Sequence, residues 1–275
     1  MTARHGHDIM ARLLLALVLA WTLSPILWQV TTSLKPDSEL MQLPPLLPAH
    51  PTLAHYRALF EHQPFHRIIL NSFGIAALTA LAALVLGALA AFPLARLPMR
   101  GKFPILGLVL GTTMFPAILT VGPLFIFMRA LGLRDTWWAV LISHTTFALP
   151  LTIWVLTNFL RELPEDLYRA ARVDGCSPWQ AFTRILLPLC RPGLTAAGVL
   201  AFLFSWTEFL YAFTFTATEA SRTVPVAIVL FPGLHEIRWG EIAAASVVVT
   251  VPVIVLVLFF HRHIVQGLTA GALKG

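Results

Sequence analysis

NSFGIAALTALAALVLGALAAFPL, residues 71–94, decides how this chain folds. None of these positions carries an ionisable side chain. A helix of about 20 apolar residues crosses the ~30 Å hydrocarbon core of a bilayer. In lipid every backbone N–H and C=O must be bonded internally, which leaves only helices and closed barrels. The run is continuously apolar rather than alternating, so a helix is expected rather than a barrel strand. Working outward, five further apolar runs lie at 11–30, 103–128, 137–160, 192–217 (interrupted by Glu208) and 242–260. The expected fold is therefore an all-α integral membrane protein with six transmembrane helices, forming a single domain over 1–275.

Composition agrees. The chain is 57% hydrophobic and 12% charged, against about 25% charged in soluble domains, and its mean hydropathy is +0.79. The net charge of +6 would suit a nucleic-acid partner, but the placement of the basic residues argues against one. With the N-terminus cytoplasmic, the segments on that side hold 12 Lys and Arg and the opposite segments hold 7. This bias predicts both termini in the cytoplasm of a bacterial inner membrane. Trp28, Trp137, Trp138 and Trp239 then fall at the outer ends of spans, where amphipathic rings favour the interface. The first run ends LWQVTTSLKP without a small-x-small cleavage site, so it reads as a retained span rather than a signal peptide. Cys176 and Cys190 fall in a predicted cytoplasmic loop, a reducing compartment in which a structural disulfide is not expected.

Between the spans, TLAHYRALF (52–60) places Leu53, Tyr56, Leu59 and Phe60 on one helical face and is expected to lie along the outer surface. Residues 129–136 form a tight outer turn, and 218–241 a longer outer connection broken by Pro and Gly. Pro25, Pro93, Pro116, Pro123, Pro150 and Pro252 fall in spans. There they act as ordinary irregularities or as bending points.

The longest polar segment is the loop 161–192, which contains RAARVDGCSPWQAFTRILLPLCRP at 169–192. Pro164 followed by Glu165 and Asp166 is a helix start, since the helix dipole favours early negative charge. Gly175, after Asp174, is placed to take the left-handed conformation that ends a helix. Ser177, Pro178 and Gln180 form a capping-box pattern for a second helix. Trp179, Phe182, Ile185, Leu186 and Leu189 give that helix an apolar stripe, and Pro188 and Pro192 close it. Ala170 and Ala171 are small enough to admit a close partner. On the caps alone, the elbow serves equally well as a plain connector and as a docking element.

AARVDGCSPWQAF (170–182) with ILLPL (185–189) resembles the coupling motif of bacterial ABC importer permeases. TLAHYRALF (52–60), Asn71–Ser72, FSWTEFL (204–210), RTVPVA (222–227) and GLTAGALKG (267–275) resemble the carbohydrate branch, the maltose/trehalose-type importer permeases with six spans. The resemblance covers nearly the whole chain. It implies the type I importer architecture, with a cytoplasmic coupling helix in which Glu165, Asp166, Arg169, Ala170, Ala171, Asp174, Gly175, Phe182 and Pro188 meet an ATPase. It further implies a cytoplasmic tail over 261–275, with Gly267, Thr269, Gly271 and Lys274 reaching the same ATPase.

The implied partners are a second homologous permease, an ATPase dimer, an extracytoplasmic sugar-binding protein, lipid and a sugar, with no nucleic acid. The chain itself is implied to be a transport subunit and not an enzyme, with no cofactor of its own and ATP and Mg in the partner ATPase. It has no G-x-x-x-x-G-K-S/T phosphate loop, which fits that division. One departure stands out: Arg169 occupies the position where the family carries a Glu that pairs with the ATPase. Glu165 or Asp166 would have to substitute, or the partner permease would supply the acid.

Glu208 is the one acidic residue within a predicted span, and a charge there costs about 2.5–3.5 kcal/mol unless it is partnered or wet. It reads either as a substrate-pathway contact beside Trp206, with Asn71 as a further pathway candidate, or as a structural hydrogen bond to a partner subunit. The second reading is favoured. His144, Thr145, Thr146 and Asn158 are weaker candidates of the same kind. His62 and His66 share a helical face, but with no accompanying Cys or carboxylate they read as solvated rather than as metal ligands.

Two other classes weigh less. An intramembrane serine hydrolase would need Ser143 or Ser205 framed by a nucleophile motif, which is missing. A secondary transporter would show inverted repeats and embedded ion ligands. The expected substrate is a neutral sugar, a di- or oligosaccharide such as trehalose or maltose. The alternative is glycerol 3-phosphate or another polyol.

Overall fold

The computed structural model describes residues 2–40, 46–61, 63–231 and 237–269, with side chains placed between residues 9 and 262 outside those gaps. Its elements are helices α1 (Thr2–Ser33), α2 (Asp37–Leu40), α3 (Ala54–Glu61), α4 (Phe65–Arg96), α5 (Lys102–Gly111), α6 (Ala117–Ala130) and α7 (Trp137–Glu162). They are followed by α8 (Glu165–Val173), α9 (Pro178–Ala181), a π-helical turn at Phe182–Leu186, α10 (Leu187–Leu189), α11 (Arg191–Thr207), α12 (Leu210–Phe215), α13 (Val224–Val229) and α14 (Trp239–Thr269).

Four helices are long and apolar enough to cross a bilayer unbroken: Ile9–Ser33, Phe65–Arg96, Trp137–Glu162 and Trp239–Arg262. Two bent pairs bring the number of candidate spans to six. The third expected span, 103–128, is not one straight helix. Lys102–Met114 and Ala117–Ala130 meet at 90°, because Pro116 lacks the N–H that would continue the ladder and pushes Phe115 into an extended conformation (ψ 127°). Pro25, Pro93, Pro123, Pro150 and Pro252 lie inside continuous helices. Helix in lipid persists because its backbone has no water to turn to.

The chain divides into two compact units. The first comprises Met1–Phe65 and Ile228–Val251. Its α1 leaves an apolar surface bare along its length, from Ile9 to Trp28. Beyond α1 the chain is pinned to α3: the Ser33 and Tyr56 hydroxyls lie 2.7 Å apart, and a His55 ring nitrogen lies 2.7 Å from the Lys35 carbonyl oxygen. Lys35 is fully buried with its ammonium 4.4 Å from the Trp28 ring centroid.

The second unit comprises His66–Ala227 and Pro252–Gly275. Its core is the packing of α4, α7 and α11. At mid-height Ala83, Ala148 and Ala201 meet, small residues that let membrane helices approach closely. Gly193 lies so close to Phe159 that an added Cβ would stand 2.5 Å from its ring. At one end Ala88, Phe92, Leu156 and Leu160 close around Phe182, Leu186 and Cys190. At the other end Ile75, Met128, Val140, Tyr211 and Phe215 form a second cluster. Helix α7, 26 residues long, would span about 39 Å at 1.5 Å per residue, and it separates these two ends.

Candidate functional site

The loop between α7 and α11 forms the expected elbow. α8 opens after Pro164 with Glu165 and Asp166 in its first turn and ends at Asp174. Gly175 then adopts φ +87°, a conformation that costs a residue bearing a Cβ roughly 1–2 kcal/mol. Cys176 N–H reaches back to the Ala171 carbonyl at 3.0 Å and Gly175 N–H to that of Arg172 at 3.3 Å, closing the helix end. Ser177 and Gln180 make both bonds of the capping box, at 3.2 and 2.8 Å.

From Phe182 the helix widens into a π turn, which shifts the apolar stripe from the expected register. Phe182, Leu186 and Cys190, spaced four apart, are buried, while Trp179 and Leu189 remain 58% and 49% exposed. Residues four apart share one face of a helix, so the three form a single buried line toward the bundle. Phe182 stacks on Phe92 of α4 with centroids 4.6 Å apart. The elbow is also tied at its root. The Arg96 guanidinium donates to the Leu163 carbonyl, and that of Arg161 to the Leu94 carbonyl at 3.4 Å.

The expected coupling residues therefore divide by environment. Phe182 is buried against the bundle and Ala171 is buried within the elbow, whereas Glu165, Asp166, Arg169, Ala170, Asp174, Gly175 and Pro188 are exposed. Val173, at 87% exposure, and Trp179 add apolar surface to that outer face. Arg169 does not stand alone. Its guanidinium bonds Glu165 at 2.7 Å across one turn, both side chains being well exposed, in the favoured order with the acid nearer the N-terminus. Of the expected tail contacts, Gly267 and Thr269 fall in the last turns of α14, where no side chains are described, and Gly271 and Lys274 lie outside the described residues.

The fifth span breaks at Glu208. α11 stops at Thr207, Glu208 is extended (ψ 131°), and α12 begins at Leu210. The Glu208 carboxylate accepts the N–H groups of Tyr211 (3.0 Å) and Ala212 (3.1 Å) at the start of α12. Its Oε2 lies 2.8 Å from His144 Nε2 of α7. His144 is fully buried, and its Nδ1 lies 2.7 Å from the Ser205 hydroxyl. Ser205 lies in turn 3.4 Å from the Thr79 hydroxyl of α4. Glu208 thus has a partner on this chain. The cause is tertiary: α7 packs along α11 and brings His144 to the level of Ser205. Trp206 is buried and stacked on Phe202.

At the end of the unit away from the elbow, residues 216–223 are clamped from two sides. Asn71 Nδ2 lies 3.0–3.2 Å from the carbonyl oxygens of Glu219, Ala220 and Arg222, and Ser72 accepts the Val224 N–H at 2.7 Å. From the turn before α7, Asp135 accepts the N–H groups of Ala217 and Thr218 at 2.8 and 3.0 Å, as well as the hydroxyls of Thr218 and Ser221. Partial burial alone would raise the Asp135 carboxyl, but the bonds from Ser221, Thr218 and Ala217 together outweigh it and hold it well below the usual carboxylate range. Asp135 has φ +60°, a left-handed conformation that Asp enters more readily than most residues. Nothing in the neighbouring residues singles Asp135 out, since its loop partners stand more than 80 residues away.

Among the described residues no group of three His, Cys, Asp or Glu is placed to hold a metal ion; His62 lies outside those residues. The elbow, the broken span and the clamp all fall in or beside the region matched by a family model, residues 83–270, whose description is binding-protein-dependent transport system inner membrane component. The chain belongs to this family. The permease is 46% identical, over 94% of its own length and 95% of the relative's, to the trehalose transport system permease protein SugB of Mycobacterium tuberculosis. It is 41% identical, over 92% and 89%, to the sulfoquinovosyl glycerol transport system permease protein SmoH of Agrobacterium fabrum. Its fold matches a chain of a bacterial ABC transporter that imports the acidic polysaccharide alginate, with a TM-score of 0.81 at 19% identity over 95% of the permease and 98% of that chain.

Proposed function

We propose that the permease is one of two membrane subunits of an ABC importer, and that it carries a neutral sugar, a trehalose-type α-glucoside, across the inner membrane. The observation that carries this reading is the elbow. Its apolar face is anchored in the bundle through Phe182 and Leu186. Its outer face presents Glu165, Asp166, Arg169, Val173 and Trp179 to a partner. A chain without a phosphate loop of its own would receive the work of ATP hydrolysis there, from an ATPase dimer that holds ATP and Mg.

Arg169, engaged with Glu165, presents a mixed-charge pair where the family presents a lone acid. The facing ATPase surface should accordingly offer both an acceptor for the guanidinium and a donor for Asp166. The tail over 261–275 is proposed as a second ATPase contact, both termini being cytoplasmic. The clamped loop 216–223 would then face outward, toward an extracytoplasmic binding protein. The high identity to a trehalose permease supports the α-glucoside; the likeness to a sulfoquinovosyl glycerol permease favours a glycerol-linked sugar as the second reading.

The test is to purify the permease with its co-expressed partners, reconstitute the complex in vesicles and follow uptake of labelled trehalose. ATP-dependent uptake with trehalose-stimulated hydrolysis is expected. Uptake by the permease alone, or hydrolysis indifferent to every sugar tried, would overturn the proposal.

A further inference from the structure

The break at Glu208 has no proline or glycine behind it. Helix breaks normally sit at Pro, Gly or a π-bulge, and Trp206–Thr207–Glu208–Phe209–Leu210 contains neither residue. What replaces them is one carboxylate used twice. It supplies acceptors for the Tyr211 and Ala212 N–H groups, which would otherwise bond carbonyls of the preceding turn, and it is gripped by His144. Four elements meet through the chain Thr79, Ser205, His144 and Glu208. α12 is held separately: the Tyr211 hydroxyl lies 2.7 Å from that of Thr120 on α6, and the Tyr211 ring stacks on Phe147 at 4.6 Å.

The position of the break matters as much as its chemistry. α11 begins at Arg191, directly after the buried Cys190 that ends the elbow, and runs 17 residues to Thr207, about 25 Å of continuous helix. Any displacement of the elbow relative to α7 is carried along α11 to Ser205 and Glu208, while His144 stays with α7.

We propose that His144 and Glu208 form a latch that holds the fifth span in its broken form, and that its opening accompanies the elbow's movement. Glu208 is thus a positioning residue for transport. When the latch is shut, the carboxylate caps α12 and fixes that short helix against α6. When α11 slides past α7, the carboxylate leaves His144, loses its fixed geometry at the Tyr211 and Ala212 N–H groups, and frees α12 to rotate. The inference rests on the coupling reading of the elbow given above.

The complete complex in vesicles tests it. Sugar moved and ATP hydrolysed are measured together for the wild type, His144→Gln, Glu208→Gln and the double variant. Each single variant is expected to lower the sugar moved per ATP about tenfold, within the range of coupling between linked sites. The half-saturating sugar concentration should be unchanged, and the double variant no worse than either single, since the two residues act as one unit. A side chain that merely stabilised the fold would lower the amount of complex and leave that ratio alone.

Spin labels at Leu81 on α4 and Phe213 on α12, both exposed, give a second readout that does not depend on how well the variants assemble. Two distances, exchanged on adding ATP, are expected in the otherwise native complex. A single distance in both states, a wild-type ratio in both single variants, or losses that multiply in the double variant would overturn the latch while leaving the importer reading intact. Failure of the wild-type complex to move any sugar on ATP would overturn both.

Discussion

Two interruptions flank α11, and they are built by opposite means. At the elbow, every device lies within a few residues of the turn it makes: Gly175 at φ +87°, the helix end closed onto Ala171, and the Ser177–Gln180 box. At Glu208, the carboxylate that caps Tyr211 and Ala212 is itself held by His144, which stands 64 residues earlier on another helix. A locally built turn keeps its shape when its surroundings shift, so the elbow is suited to move as a body. A break held by a distant partner lasts only while that partner is in place, so the fifth span is suited to change shape.

The widest separation between the two regions should come from Phe182→Ala. This leaves the elbow's own turn untouched but removes its anchor on Phe92, at an expected cost of about 3–5 kcal/mol. Thermal unfolding of the purified complex should shift down markedly, and ATPase co-purification should weaken. An unshifted transition would show that the elbow does not depend on the bundle.

Gly175→Val strains the turn itself by about 1–2 kcal/mol. Membrane abundance on immunoblots should stay normal while sugar-stimulated hydrolysis is lost. Normal stimulation would mean that the turn's left-handed residue is not needed for coupling.

The clamp at the far end supplies a smaller effect with a defined pH sense. Because the Asp135 carboxyl is held below its ordinary value in the folded chain, its contribution is fully present above the unfolded value of about 3.9. It is lost only as pH falls from there toward the folded value. Amide exchange in residues 216–223 should therefore show the same protection factors at pH 7 and pH 5. Asp135→Asn should raise exchange there at both pH values, since an amide has one acceptor oxygen where the carboxylate has two. Protection that falls between pH 7 and pH 5 in the native chain would break this account.

The smallest change is expected from Arg169→Ala, which removes an exposed pair one turn apart worth about 0.3–0.5 kcal/mol. The unfolding midpoint should barely move, and less still in high salt. A large loss of ATPase binding without a stability change would assign Arg169 to the docking face itself.

These regions also differ in how far they could be read in advance. The runs at 71–94, 137–160 and 242–260 each fall within a single helix, because continuous apolarity is a property of the residues alone. Gly175, Ser177 and Gln180 perform the roles their positions suggested, since a cap needs only its nearest neighbours. The π turn at Phe182–Leu186 was not legible: ILL at 185–187 fits either winding, and only the pockets offered by Phe92, Leu156 and Leu160 select Phe182, Leu186 and Cys190 as the buried line. Pro116 could be seen as an interruption, but not as a 90° bend, since five other prolines sit within helices that continue through them. Asn71 reads in the sequence as a substrate-pathway candidate, whereas its bonds to three carbonyls some 150 residues later belong to the folded chain.

The order of residues alone was enough to mark a helical membrane protein, to place its apolar runs and to join two of them by a capped elbow. Hydropathy, helix caps and a glycine's freedom act over a few residues and need no partner. Packing was needed to show that Glu208 is held by His144, that the elbow winds as a π turn, and that Asp135 and Asn71 clamp one loop. Hydrogen bonds and ring stacks between distant residues exist only once α4, α7 and α11 have packed, and the depth and rotation of each helix in that packing are set by all of them together.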